Sequence, residues 1–396
     1  VSEPIPSDRS RFAKAALALL AGALGTALIG GAIWLVLDSR KPQPPRQTEI
    51  EPAEKTGEPT STTQSAEPTV PGTGSLTPTQ SAPGNAGGPD TSGAAAAQPR
   101  VAYRMGGRIW VAREDGSKPV DVAPAASTYA VSPDGSLLAV INDPPRNNGR
   151  VLVYQVKTSG SLRIGGMGAY PGWLSWSPDG RYIAYSSGTL ESSSIREMLS
   201  DGANDAAVVA SGGLARFSPD GMSLAYRPSG SPGTGAQLRV LTFTSSAYPQ
   251  GVGSASAALS FAFAPDGALY FSRPGSGTAW EILRARAPYT WSEKVGTIKI
   301  AAPAYALCDL AVSPNGRYVL TGARGDDHYC RLWVLDTSTG KAWPIPTRRD
   351  ATPYGWTSDG RILYFEGNTY QGESSSLMSS RTDGTYRRVV VAGAAQ

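Results

Sequence analysis

Residues 129–141 read YAVSPDGSLLAVI, and residues 173–186 read WLSWSPDGRYIAYS. In each, a short apolar run enters the tetrad Ser-Pro-Asp-Gly and a second apolar run leaves it. The tetrad recurs as SPDG at 132–135, 177–180 and 218–221, APDG at 264–267, SPNG at 313–316 and TSDG at 357–360. Its glycines stand 41 to 49 residues apart, the period of a propeller or solenoid array. Proline presets φ at the second turn position, Asp can bond nearby amides, and Gly takes the left-handed conformation that ends a tight hairpin. Asp134, Asp179, Asp220, Asp266, Asn315 and Asp359 are therefore turn residues at one repeat position, not a set of catalytic acids.

The flanks decide between array types. TYAV, WLSW, LARF, SFAF, DLAV and PYGW precede the tetrads, and SLLAVI, RYIAYS, MSLAYR, ALYFS, RYVLTG and RILYF follow them. Third runs such as RVLVYQV and CRLWVLD lead into fourth strands such as SLRIGG and RRVVV. Four short antiparallel strands per repeat, without helical periodicity, make one blade of a β-propeller. Upstream, RVAYR (100–104), RIWVAR (108–113) and PVDVA (119–123) supply three more strands. Six full repeats plus these three give 27 strands and favour seven blades, one of them three-stranded. A six-bladed disc closed in another way is the alternative.

The strand–SPDG–strand unit at this period resembles the TolB-type, WD-like β-propeller repeat of bacteria, over residues 100–396. That resemblance implies a disc of radial four-stranded sheets used mostly for binding. TolB carries an α/β domain ahead of its propeller; here an anchor and a stalk are expected in that place, so TolB's partners are not carried over.

Ahead of the repeats the composition changes. Residues 15–37, AALALLAGALGTALIGGAIWLVL, carry no charge; at about 1.5 Å per residue a helix of this length crosses a bilayer core of about 30 Å. The expectation is a tail at 1–14, a single transmembrane anchor at 15–37, and a Pro/Ser/Thr/Gly-rich linker at 38–99 too poor in large apolar side chains to fold. Basic residues flank the span equally, and the stalk-like linker places the propeller outside the cytoplasmic membrane of a bacterium.

Composition excludes several functions. Lys and Arg number 36 against 32 Asp and Glu, which leaves no polycationic footprint for nucleic acid. One His and two Cys cannot build a His-rich metal centre or a zinc ribbon. No G-x-S-x-G elbow occurs, nor the sialidase S-x-D-x-G-x-T-W box. Asp326, Asp327 and His328, in the loop RGDDHY, read as solvated, and LDTSTGKAW (335–343) is a lone copy of a quinoprotein-like turn. No cofactor or metal is expected.

Two irregularities remain in the register of the repeat. Two residues before each tetrad stand Ala130, Ser175, Arg216, Ala262, Ala311 and Gly355; four before stand Thr128, Trp173, Leu214, Ser260, Asp309 and Pro353. Arg216 is the one long cation and Asp309 the one carboxylate. They point either to a structural ion pair or to an anionic-ligand contact at the channel mouth, with Tyr129, Trp173 and Tyr354 as an aromatic rim. Cys308 and Cys330 fall in one repeat at one end of the blade. A disulfide is permitted in an exported protein, although two strand spacings separate first and third strands. The functional expectation is a non-catalytic binding or scaffold module for a protein or cell-envelope ligand. The alternative is a glycan hydrolase or lyase acting through channel carboxylates.

Overall fold

The computed structural model describes residues 100–395, interrupted at 127, 143–148, 159–160, 189–191, 230–236, 244–248, 257–259, 301–303, 326–328, 349 and 368–374. The tail, anchor and linker expected over 1–99 lie outside the described residues, as do Asp326, Asp327 and His328. Among the described residues no helix is long and apolar enough to cross a membrane.

Every described element is a strand, and all pairing is antiparallel. Blade 1 holds β1 (Arg100–Met105), β2 (Arg108–Arg113) and β3 (Val120–Pro124). Blade 2 begins with β4 (Thr128–Val131), β5 (Leu137–Ile141) and β6 (Gly149–Gln155). β7 (Ser161–Trp176) is at once the last strand of blade 2 and the first of blade 3, which continues through β8 (Tyr182–Gly188), β9 (Ser193–Leu199) and β10 (Ala206–Val209). Ala169 of β7 pairs with both Gly149 and Ser187. This continuity is why 26 strands appear where the repeat arithmetic expects 27.

Blade 4 is β11 (Ala215–Phe217), β12 (Ser223–Tyr226), β13 (Gln237–Thr242) and β14 (Gln250–Ser256). Blade 5 is β15 (Phe261–Phe263), β16 (Leu269–Pro274), β17 (Ala279–Ala285) and β18 (Glu293–Lys299). Blade 6 is β19 (Ala304–Val312), β20 (Tyr318–Gly325), β21 (Cys330–Asp336) and β22 (Ala342–Pro344). Blade 7 is β23 (Ala351–Trp356), β24 (Ile362–Glu366), β25 (Ser376–Ser380) and β26 (Arg388–Ala392).

Seven apolar clusters fill the seven junctions between blades, so the ring closes on itself. Leu138, Ile109 and Val122 meet between blades 1 and 2, Ile183 and Ile141 between 2 and 3, and Leu224 and Ile195 between 3 and 4. Phe261 and Leu238 join blades 4 and 5, Val319 and Ile282 blades 5 and 6, and Tyr364 and Leu332 blades 6 and 7. The last junction, with Tyr103, Leu363 and Ala394, joins blade 7 to blade 1. This settles the count at seven against the six-bladed alternative. Both faces of each sheet are covered by neighbours, which explains the near-continuous apolar runs in the second strands. Trp176 and Trp356, each just before a tetrad, donate their indole N–H to the carbonyls of Ala130 and Ala311 in the preceding blade, at 2.9 and 3.2 Å.

Among the described residues blade 1 has three strands, and Ala395 bridges to the open edge of β1. Arg104 N–H donates to the Ala395 carbonyl and Ala395 N–H returns the bond, both at 2.8 Å. At the tetrad end, the Ser358 amide and hydroxyl both donate to Glu114 Oε2 at 2.9 Å, a second link between blades 7 and 1.

The tetrads build one turn six times. Each glycine sits at a φ between 70° and 81°. The leading Ser is buried; in the second tetrad its hydroxyl donates to Asp179 Oδ1 at 2.5 Å and accepts the Tyr182 N–H at 2.9 Å. Asp179 also accepts the Arg181 N–H at 3.1 Å. The Ser177 hydroxyl and then the Arg181 amide hold the Asp179 carboxyl below its ordinary value, and Ser218 and the Met222 amide do the same for Asp220. Asn315 takes the corresponding bonds from Ser313 and the Arg317 amide, at 2.7 and 3.1 Å.

Candidate functional site

The first strand of each blade runs toward its tetrad, so the residues two to four positions before it lie along the inner strand, from its middle to the end away from the tetrads. Arg216, on β11 opposite Ala225, extends from blade 4 to Asp309 on blade 6. Its Nη2 stands 3.7 Å from Asp309 Oδ1, with the side chains 38% and 51% exposed. The intervening first-strand residues of blade 5, Ser260 and Ala262, are small and buried, which lets a long side chain pass. A pair this open and long contributes at most about 1 kcal/mol to stability. It does not have the energetics of a buried ion pair.

Arg216 Nε is nevertheless buried and meets no acceptor. Among the described residues, Tyr129 Oη on β4 and Trp173 Nε1 on β7 are in the same condition. Tyr129 packs at the junction of blades 1 and 2. Burial pushes its phenol far above the ordinary value; the Tyr354 hydroxyl adds to this and the Arg104 charge opposes it. Trp173 is 8% exposed and packs with Ala215, Phe217 and Tyr226 across the junction of blades 3 and 4. An uncompensated buried donor costs about 1–3 kcal/mol, and such groups are rare enough in folded proteins to require a reason.

Tyr354 departs from the rim position that the repeat register gives it. A register shift between Pro353 and Gly355 turns it toward blade 1, where its hydroxyl accepts the Ala102 N–H at 3.0 Å and its ring meets Phe365 edge-on at 5.7 Å. It belongs to the ring closure as much as to the rim. The structure thus brings Arg216 to Asp309 and Tyr129 near Tyr354, while Trp173 sits apart in its own junction.

Cys308 and Cys330 are both free thiols, with their sulfurs 3.1 Å apart. The expected disulfide is not formed, yet the two-strand separation that argued against contact is overcome. β19 bulges between Leu307, which pairs with Ala323, and Leu310, which pairs with Thr321. The residue left facing Cys308 on the middle strand is Gly322. A Cβ there would lie 2.3 Å from the Cys330 sulfur and 3.3 Å from the Cys308 Cβ. The thiols therefore meet over a strand position that has no side chain. Gly322 was the sequence signal for this contact, and strand-spacing arithmetic alone overlooks it.

Two cavities lie elsewhere. One of about 380 Å³ between blades 5 and 6 at the tetrad end is lined by Asp266, Arg284, Arg286, Asn315 and Arg317. Its arginines already meet carboxylates: Arg286 with Asp266, Arg284 with Glu293 and Arg317 with Asp336. The other, about 270 Å³, lies between blades 1 and 2 beside Ala126, Asn142 and Tyr154. Among the described residues no three His, Cys, Asp or Glu side chains gather as a metal ion would need.

With the geometry established, comparison with known proteins places the fold. Residues 296–334 match the family model "WD domain, G-beta repeat". A search of the curated proteins found no match. Among solved structures, prolyl endopeptidases superpose at TM-score 0.55 with 12% identity over 73% of this chain and 49% of theirs. An oligogalacturonate lyase in complex with manganese gives 0.52 with 12% identity over 68% of this chain and 81% of its own. TolB from Acinetobacter baumannii gives 0.45 with 15% identity over 63% of this chain. The chain spans 64% of that TolB and about half of the endopeptidases. At these identities the likeness shows the fold alone. The WD match and the seven-bladed ring bear out the WD-like propeller character of the repeat.

Proposed function

We propose that this chain is a non-catalytic binding module that takes an oxygen-rich ligand, a protein segment or glycan of the cell envelope, at the channel mouth opposite the tetrads. The supporting observation is the pair of buried donors without protein acceptors, Tyr129 Oη and Arg216 Nε, on the first strands of blades 2 and 4. A ligand presenting carboxylate, hydroxyl or carbonyl oxygens satisfies such donors and removes their desolvation cost. Asp309, exposed beside Arg216, sets the orientation of the guanidinium in the empty state and yields it to a stronger acceptor.

The same reading places the ring outside a bacterial cytoplasmic membrane, tethered through residues 15–37 and a linker at 38–99. Protease added to intact cells then cuts within 42–99 and releases the propeller; complete protection while other surface proteins are digested defeats this placement.

The binding test uses the full chain in detergent against a panel of envelope-derived oligosaccharides and peptides, read by calorimetry. Binding that Arg216→Ala and Tyr129→Phe both abolish, at unchanged melting temperature, supports the site. Binding that neither variant weakens refutes it. Turnover of a glycan by the wild-type chain transfers the function to a hydrolase or lyase.

A further inference from the structure

We propose that Cys308 and Cys330 are a redox-active dithiol that closes reversibly to a disulfide by exchange with a low-molecular-weight disulfide. The site is built by three features. The bulge in β19 brings Cys308 inward; Cys330 opens β21 with its backbone N–H held by Asp350 Oδ1; and Gly322 on the strand between leaves the space in which the sulfurs meet at 3.1 Å. Cys308 is partly exposed and Cys330 is buried, so an outside reagent reaches the first and not the second. The hydrogen bond from Cys330, opposed by burial and aided by the Arg324 charge, holds the Cys308 thiol below its ordinary value; the same bond and burial push Cys330 up. Cys308 is thus the attacking sulfur and Cys330 the resolving one.

The Cys308 thiolate attacks one sulfur of the external disulfide, whose S–S bond breaks. The leaving thiolate takes up the proton Cys308 has lost. Cys330 then gives up its proton and attacks the Cys308 sulfur, expelling the second external thiolate, which takes that proton. Two protein thiols are oxidised and one external disulfide is reduced to two thiols. Asp309 follows Cys308 in the same bulge, so closure acts on the backbone that presents Asp309 to Arg216. The dithiol chemistry itself stands whether or not a ligand binds at the channel mouth.

The test equilibrates the folded, fully reduced full chain with graded ratios of oxidised to reduced glutathione, followed by acid quench, unfolding, alkylation and intact-mass measurement. The expected result is passage from two alkylated thiols to none, reversed by excess reduced glutathione. Cys330→Ser should accumulate a glutathione adduct on Cys308, and Cys308→Ser should take up at least tenfold less at Cys330 while folded. Gly322→Ala, which crowds the Cys330 sulfur, should slow closure with both thiols retained; if that variant does not fold, the two cysteine variants decide. Two alkylatable thiols at the most oxidising ratio overturn the proposal. Equal adduct formation in the two cysteine variants does so as well.

Discussion

The two ends of the ring are written differently. At the tetrad end all six turns share one backbone bond, from the Gly N–H to the carbonyl of the residue that opens the tetrad; four of them span six residues and two, 264–268 and 357–361, span five. At the other end the links between second and third strands run from two residues, 106–107, to ten, 227–236, and share no composition. The buried donors without acceptors, the open Arg216–Asp309 pair and the paired thiols all stand toward that second end. What repeats specifies the fold, and what fails to repeat marks where selection has asked for something besides the fold.

The body of the blade, common to both ends, sets the scale. Ile183 is fully buried between blades 2 and 3, so Ile183→Ala should cost about 2–5 kcal/mol in denaturant unfolding. A loss below that of any turn variant would break the scale. Next come the turns. Ser177→Ala removes the acceptor for the half-buried Tyr182 N–H and should cost about 1 kcal/mol. The fourth tetrad supplies the mirror test, since Ala264 stands where the others have a hydroxyl, and beside its backbone bonds the turn has the Ala268 N–H donating to Asp266 Oδ1. Ala264→Ser should therefore stabilise, by about 0.5–1 kcal/mol. Two changes of the same sign would show that the turns are not equivalent.

How much of this was legible follows the same division. The tetrads, their flanking strands and the three orphan strands at 100–123 gave seven blades, because hairpin chemistry is local and repeats. What borders the open edge of β1 was not legible: Ala395 offers one bridge to Arg104 and no periodicity. Nor was the fusion of two strands into β7, which turns on backbone continuity through 165–172 and on no side-chain pattern. Arg216 and Asp309 stood out as breaks in an alignment of small residues. Their exposure did not, since it depends on the span across blade 5. Tyr354 was misplaced by a bulge, and Cys308 met Cys330 through another bulge beside a glycine. Bulges shift register by one residue and reverse which neighbour a side chain faces; of the two, only the one beside Gly322 left a trace in the sequence, a strand glycine.

Arg216 separates the two ends by energetics. Arg216→Ala should change stability by less than about 1 kcal/mol, and the double-mutant cycle with Asp309→Ala should give a coupling below about 0.5 kcal/mol. Ligand binding, by contrast, should be lost. A coupling of several kcal/mol would make the pair a structural element like the turns and erase the distinction.

The smallest expected effect is in the response to acid. The Asp179 and Asp220 carboxyls titrate below their ordinary value in the folded chain because the Ser hydroxyl and a backbone amide bond the ionised form. A carboxyl depressed in this way contributes stability that is complete above its unfolded value of about 3.9 and lost as pH falls through the folded one. Asn315 shows that an amide oxygen can hold the same turn, and an amide has no proton to take up. Asp179→Asn together with Asp220→Asn should therefore leave the melting temperature near pH 6 almost unchanged and reduce its fall toward about pH 3. Differential scanning fluorimetry across that range reads the slope directly. An identical acid slope in parent and variant would place the acid-labile groups outside the tetrads, and the tetrad end would then owe its uniformity to backbone geometry alone.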